Sequence, residues 1–120
     1  MGTIIGSLIE LVDKYVFRRR VERRQAEREL RAAAFDCARR LQNIEVAHTA
    51  GLDDVANTEK HHLGPELDRY ARLIGKHPEL ASGHTEAERD VRSQVLIGAR
   101  LSELAPLQQR LEKLATGTDG

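Results

Sequence analysis

Two tetrapeptides carry residue types at a spacing that chemistry could use: Glu45-Val-Ala-His48 and Glu59-Lys-His-His62. Each reads Glu-x-x-His, which on a helix sets a carboxylate and an imidazole on one face, a turn apart. Carboxylate and neutral imidazole are donors that first-row metals accept. Two such pairs, joined by two further Glu residues from neighbouring helices, build a di-metal centre inside a helical bundle. Glu29, Glu88 and Glu103 are the residues available to complete it. The composition weakens the case, because twelve Glu and five His generate this spacing readily by chance. His48 and Glu59 also flank a Gly-containing loop, whereas bundle ligands sit in the middles of long helices.

A second constellation is the arginine run of residues 4–24, IIGSLIELVDKYVFRRRVERR. Arg18, Arg19, Arg20, Arg23 and Arg24 form a basic collar immediately after an amphipathic stretch, and Arg28 and Arg31 extend it. A helix that tracks a nucleic-acid groove concentrates its cations on one side. These project around most of the helix, interleaved with Glu22, Glu27 and Glu29, and the net charge of the whole chain is zero. Nucleic acid is therefore the weakest of three readings. An anionic membrane surface suits the order of apolar face, aromatics Tyr15 and Phe17, then cations. A protein partner needs only the apolar face, and Glu10 and Asp13 suit it better because they weaken attraction to anionic lipid.

Other chemistry is not signalled. The sequence has no Gly-rich phosphate loop, no H-E-x-x-H and no paired cysteines. His84-Thr-Glu86 matches half of a zinc-deaminase signature and lacks the P-C-x-x-C half. The lone Cys37 reads as a small buried hydrophobe in a reducing compartment. No cofactor is called for.

The elements that must position these residues read as helices throughout. Aromatics are only 3% of the chain and Trp is absent, so Leu, Ile, Val and Ala must build the interior, as in helix-on-helix packing. Ile4, Ile5, Leu8, Leu11, Val12 and Tyr15 share one face of a helical wheel, with Glu10, Asp13 and Lys14 opposite. A second stripe runs Ala26, Leu30, Ala33, Ala34, Cys37, Leu41, Ile44 and His48. Tyr15 to Ala26 is eleven residues, close to three turns, so the stripes are in phase and one helix from about Thr3 to His48 is permitted. Such a helix is roughly 65 Å long. A compact chain of this length has a radius of gyration of about 14 Å, so the helix must break or project.

Downstream, Gly51 is expected to end the long helix, Asp53 or Asp54 to cap a short one, and Gly64-Pro65 to stop it. Pro65 would then open another short helix through Leu67, Tyr70, Leu73 and Ile74. Thr85 and Glu88 form a capping box for a last helix running to about Ala115. In it Ile97, Leu104 and Leu111 recur every seven residues, with Leu107 and Leu114 between, as a coiled-coil seam interrupted by Arg100 and Pro106. Pro106 should kink it near Ser102. The chain thus divides into a docking segment (1–17), a basic stem and core helix (18–48), short helices and loops (49–84) and a C-terminal seam helix (85–120), all within one domain.

The expected protein is all-α: a long N-terminal helix, one or two short ones, and a long C-terminal helix returning against the first. The expected role is non-enzymatic: a homo-oligomeric helical adaptor or assembly component docking through residues 3–17 on a protein or lipid surface. The runner-up is a ferritin-like carboxylate–histidine metal bundle, and the third is a nucleic-acid accessory protein. Glu10, Asp13 and Lys14 interrupt the longest apolar stretch, so no membrane span is expected. A cytoplasmic location is expected, at the inner membrane surface if the docking helix meets lipid.

Overall fold

The computed structural model describes residues 2–117, and side chains over residues 14–117. Every regular element among them is helical: α1 (Gly2–Thr49), α2 (Asp53–Lys76), a 3-10 turn (Pro78–Leu80), α3 (His84–Val91), a stretch of wide π turns (Arg92–Ile97) and α4 (Ala105–Thr116). Helix α1 packs along α2 and α4, with α3 closing one end.

The long helix does not break. Its residues are mostly strong helix formers, Ala, Arg, Glu and Leu, with neither Pro nor Gly after Gly6. Forty-eight residues make about 72 Å, which accounts for the 76 Å long dimension of a molecule only 27 and 19 Å across the other two. Projection resolves the size problem, and the radius of gyration rises to 19.5 Å.

The core begins at Ala26. Leu30, Ala33, Ala34, Cys37, Ala38, Leu41 and Ile44 of α1 are buried against Leu63, Leu67 and Tyr70 of α2, Ala87 and Val91 of α3, and Leu104, Leu107 and Leu111. The small residues Ala33, Ala34, Cys37 and Ala38 let the neighbouring helices approach closely. Two flanking ion-pair clusters tie the faces together. Arg40 of α1 reaches both Glu59 and Glu66 of α2, and Arg92 joins Glu88 (2.7 Å) to Asp68 (3.0 Å).

Three sequence expectations are corrected. Helix α2 runs through Gly64-Pro65 instead of stopping there. A proline inside a helix costs about 3 kcal/mol, but continuing the helix keeps Leu63, Leu67 and Tyr70 on one buried face, each worth about 1.5–3 kcal/mol. Pro65 itself faces solvent, and Gly64 offers its ring no Cβ to strike.

The second correction is at the C-terminal end, where the expected continuous helix is two. The π turns widen the spiral after Val91 and shift the phase of every later residue. Gly98 then passes so close to the backbone oxygens of Ser93 and Gln94 (3.0 and 2.8 Å from where a Cβ would stand) that only glycine fits. Ala99 and Glu103 take left-handed φ values, and Arg100 stitches the break through Gln94, Ser102 and Glu103. Pro106 sits in the first turn of a new helix rather than kinking an old one. As a result Ile97 is 79% exposed and leaves the stripe, while Leu104, Leu107 and Leu111 are buried and Leu114 is half-buried.

The third correction concerns caps. Helix α2 starts at Leu52 and α3 at Gly83, neither with a side-chain cap. Glu88 serves Arg92 instead of a capping box, and Asp53 pairs with His48.

Candidate docking surface

Residues 14–25 of α1 are all exposed. This arm begins where the packed face ends, at Ala26, and counted from Gly2 it is 24 residues, about 36 Å. Tyr15 (61% exposed), Val16, Phe17 (71%) and Val21 are large apolar side chains left in solvent. The collar of Arg18, Arg19, Arg20, Arg23 and Arg24 is likewise exposed. Arg19 lies over the Tyr15 ring, 5.9 Å from its centroid, and Arg23 approaches Glu27 at 3.6 Å. Exposed pairs of this kind contribute little stability, so the cations remain available to a partner. The side chains of Ile4, Ile5, Leu8, Leu11 and Val12 lie outside the described set.

The arm meets the packed body at a step. A groove of about 480 Å³ runs there between Tyr15, Val16, Arg19 and Arg23 on one wall and His77 and Glu79, just past the end of α2, on the other. The face bearing Tyr15 therefore looks toward the side of α1 on which α2 and α4 are packed.

The metal candidates are not brought together. Glu59 is held by Arg40, whose guanidinium draws the carboxyl below its usual range, while Glu66 and then Glu59 hold Arg40 charged. His48 Nδ1 sits 3.0 Å from Asp53 Oδ1, Glu45 is half-buried, and His62 is exposed with its ring edge-on to His61. Among the described residues no group of three His, Cys, Asp or Glu side chains converges as a metal site would. Added Zn²⁺, Mn²⁺ or Fe²⁺ is accordingly expected to leave the unfolding midpoint unmoved. A metal at a hundred times its dissociation constant would add about 2.7 kcal/mol. A clear rise that His62→Ala abolishes would restore the metal reading.

Comparison with protein-family models, curated proteins and solved structures gives no match. The reading of this chain rests on its own geometry.

Sequence reasoning missed the buried polar groups. The Tyr70 hydroxyl is hydrogen-bonded to His84 Nδ1 inside the body, ring edge to ring face at 5.6 Å. Burial pushes the Tyr70 phenol up, and burial, reinforced by Glu66 and Asp36, pushes the Cys37 thiol up to about 12. A thiol this reluctant to ionise is a poor nucleophile. Arg40 was lost among the many arginines, since nothing in its local sequence separates a clamp from a solvated cation. Among the described residues no helix is long and apolar enough to cross a membrane.

Proposed function

We propose that this chain is a non-enzymatic helical assembly component whose docking element is the projecting half of α1. The observation that carries the reading is the mismatch along that one helix. From Ala26 onward its apolar face is buried, whereas residues 14–25 are all exposed and include four large apolar side chains. An unpacked helical stretch carrying this many large apolar side chains supports an interaction site. The leucine seam is a weaker candidate for self-association, because Leu104, Leu107 and Leu111 already serve the chain's own core. The reading is of a cytoplasmic protein, the lone buried thiol fitting a reducing compartment.

The test is Ile5→Glu with Leu8→Glu in the full chain, followed by light scattering and by sedimentation with anionic vesicles. The expected outcome is loss of whichever association the wild type shows, with an unchanged unfolding midpoint, since among the described residues the buried stripe of α1 starts only at Ala26. The reading fails if the variant matches the wild type in both assays, or if the wild type itself neither associates nor binds vesicles.

A further inference from the structure

The groove at the root of the arm is lined by more than apolar side chains. Arg19 and Arg23 stand four residues apart on its α1 wall, and His77 lines the wall opposite. Like charges at that spacing share one helix face and repel, and an anion placed between them turns the repulsion into attraction. Neither guanidinium spends its N–H donors nearby. Arg19 lies over the Tyr15 ring, 5.9 Å from its centroid, and Arg23 approaches Glu27 only to 3.6 Å, beyond hydrogen-bond reach.

The lining decides which anion. A carboxylate presents two oxygens, which one guanidinium fork satisfies. A phosphate monoester presents three and carries nearly two negative charges, enough for two forks at once. Arg20 joins the same lining while Glu22 and Glu79 oppose it, three cations against two carboxylates. A strand of repeated phosphates would meet those carboxylates, whereas one compact phosphate can stay between Arg19 and Arg23. The groove's volume of about 480 Å³ lies within the roughly 300–1,000 Å³ of small-molecule sites. One phosphate leaves most of it unfilled, and Tyr15 and Val16 give the remainder an aromatic and an aliphatic surface.

We propose that this groove binds a phosphate monoester with an apolar body. The phosphate is held between Arg19 and Arg23, His77 donates a ring N–H from the opposite wall, and the apolar body lies on Tyr15 and Val16. The site needs only the root of the arm and the residues just past α2. It therefore stands whether or not the arm docks on a partner.

Phosphate monoesters occur free in solution and as the headgroup of phosphatidic acid. An NMR titration of the full-length chain with phenyl phosphate probes the first source, and sedimentation with vesicles of neutral lipid plus phosphatidic acid probes the second. Phenyl phosphate is expected to shift the Arg19 and Arg23 side-chain N–H resonances with a dissociation constant of about 1 mM or tighter. It should bind about tenfold more tightly than benzoate, which keeps the ring but offers a carboxylate, and more tightly than inorganic phosphate, which leaves Tyr15 and Val16 bare. Arg19→Gln and Arg23→Gln should each weaken binding about tenfold, and His77→Ala should weaken it by less. Arg24→Gln removes the same charge from the same exposed helix outside the groove, and should leave binding unchanged. Unfolding midpoints matching the wild type show that the variants are folded. If only the vesicles bind, with that same dependence on Arg19 and Arg23 and not on Arg24, the phosphate belongs to a lipid headgroup and the site stands. The proposal is overturned if neither probe binds, or if benzoate or inorganic phosphate binds as well as phenyl phosphate. It is equally overturned if Arg24→Gln weakens binding as much as Arg19→Gln, which would leave only a general attraction to the basic collar.

Discussion

Leu111→Glu is expected to unfold this protein rather than to separate an assembly. Leu111 is fully buried on α4, facing the α1 stripe, and Leu104 is equally buried at the helix's start. Truncating such a leucine to alanine costs about 2–5 kcal/mol through lost contacts and the cavity left behind. An unpaired carboxylate there costs more, because no cation among the core residues can neutralise it. Set against a typical total of about 5–15 kcal/mol for a small domain, this removes most or all of the stability. Circular dichroism at 25 °C should show loss of helix, or a melting midpoint lowered by more than 15 °C, given about 4–8 °C per kcal/mol at this size. Ile97→Glu is the control. Its side chain is 79% exposed, so its midpoint should stay within about 0.5 kcal/mol of the wild type. A folded Leu111→Glu protein with a changed mass would mean that α4 belongs to an interface between copies.

The second large effect is alkaline. Cys37 and Tyr70 are both buried, and burial raises both, the thiol from 9.0 to about 12. Both are acids whose folded form holds its proton more tightly than the unfolded chain does. Their contribution is therefore intact below the unfolded values and is lost as pH climbs toward the folded ones. Once the unfolded thiol ionises, each further pH unit costs a little over 1 kcal/mol. Between pH 9 and 11 the thiol alone should remove about 2 kcal/mol, and the phenol adds to this above pH 10. Urea midpoints measured from pH 7 to 11 should fall steeply above pH 9, and Cys37→Ala should flatten the first part of that fall. A midpoint that holds level to pH 11 would show that both groups ionise freely in the folded protein.

The sequence by itself determined the helical class, the continuous register from the arm into the core, and the α1 stripe from Ala26 to Ile44. These follow from a 3.6-residue period that local propensity and burial support together. It also separated the collar from the core, because Arg19, Glu22 and Arg23 interrupt the stripe and cannot be buried without partners. Whether that face meets lipid, a partner or a second copy was not legible, since charge counting along one strand of text carries no depth.

Tertiary structure decided what depends on neighbours. Proline at 65 looked like a stop, yet keeping Leu63 before it and Leu67 and Tyr70 beyond it on one buried face outweighs one lost backbone bond. Proline at 106 looked like a kink and became the start of a new helix, because Gly98 and the wide turns before it had already ended the old one. A seven-residue spacing joined Ile97 to Leu104, Leu107, Leu111 and Leu114 on paper, but the π turns shifted Ile97 out of phase and into solvent. Glu59 had the spacing of a metal ligand, and Arg40, nineteen residues away in sequence, claimed it. Periodicity fixes which face of a helix is apolar; only the approach of another helix decides which of its charges find partners.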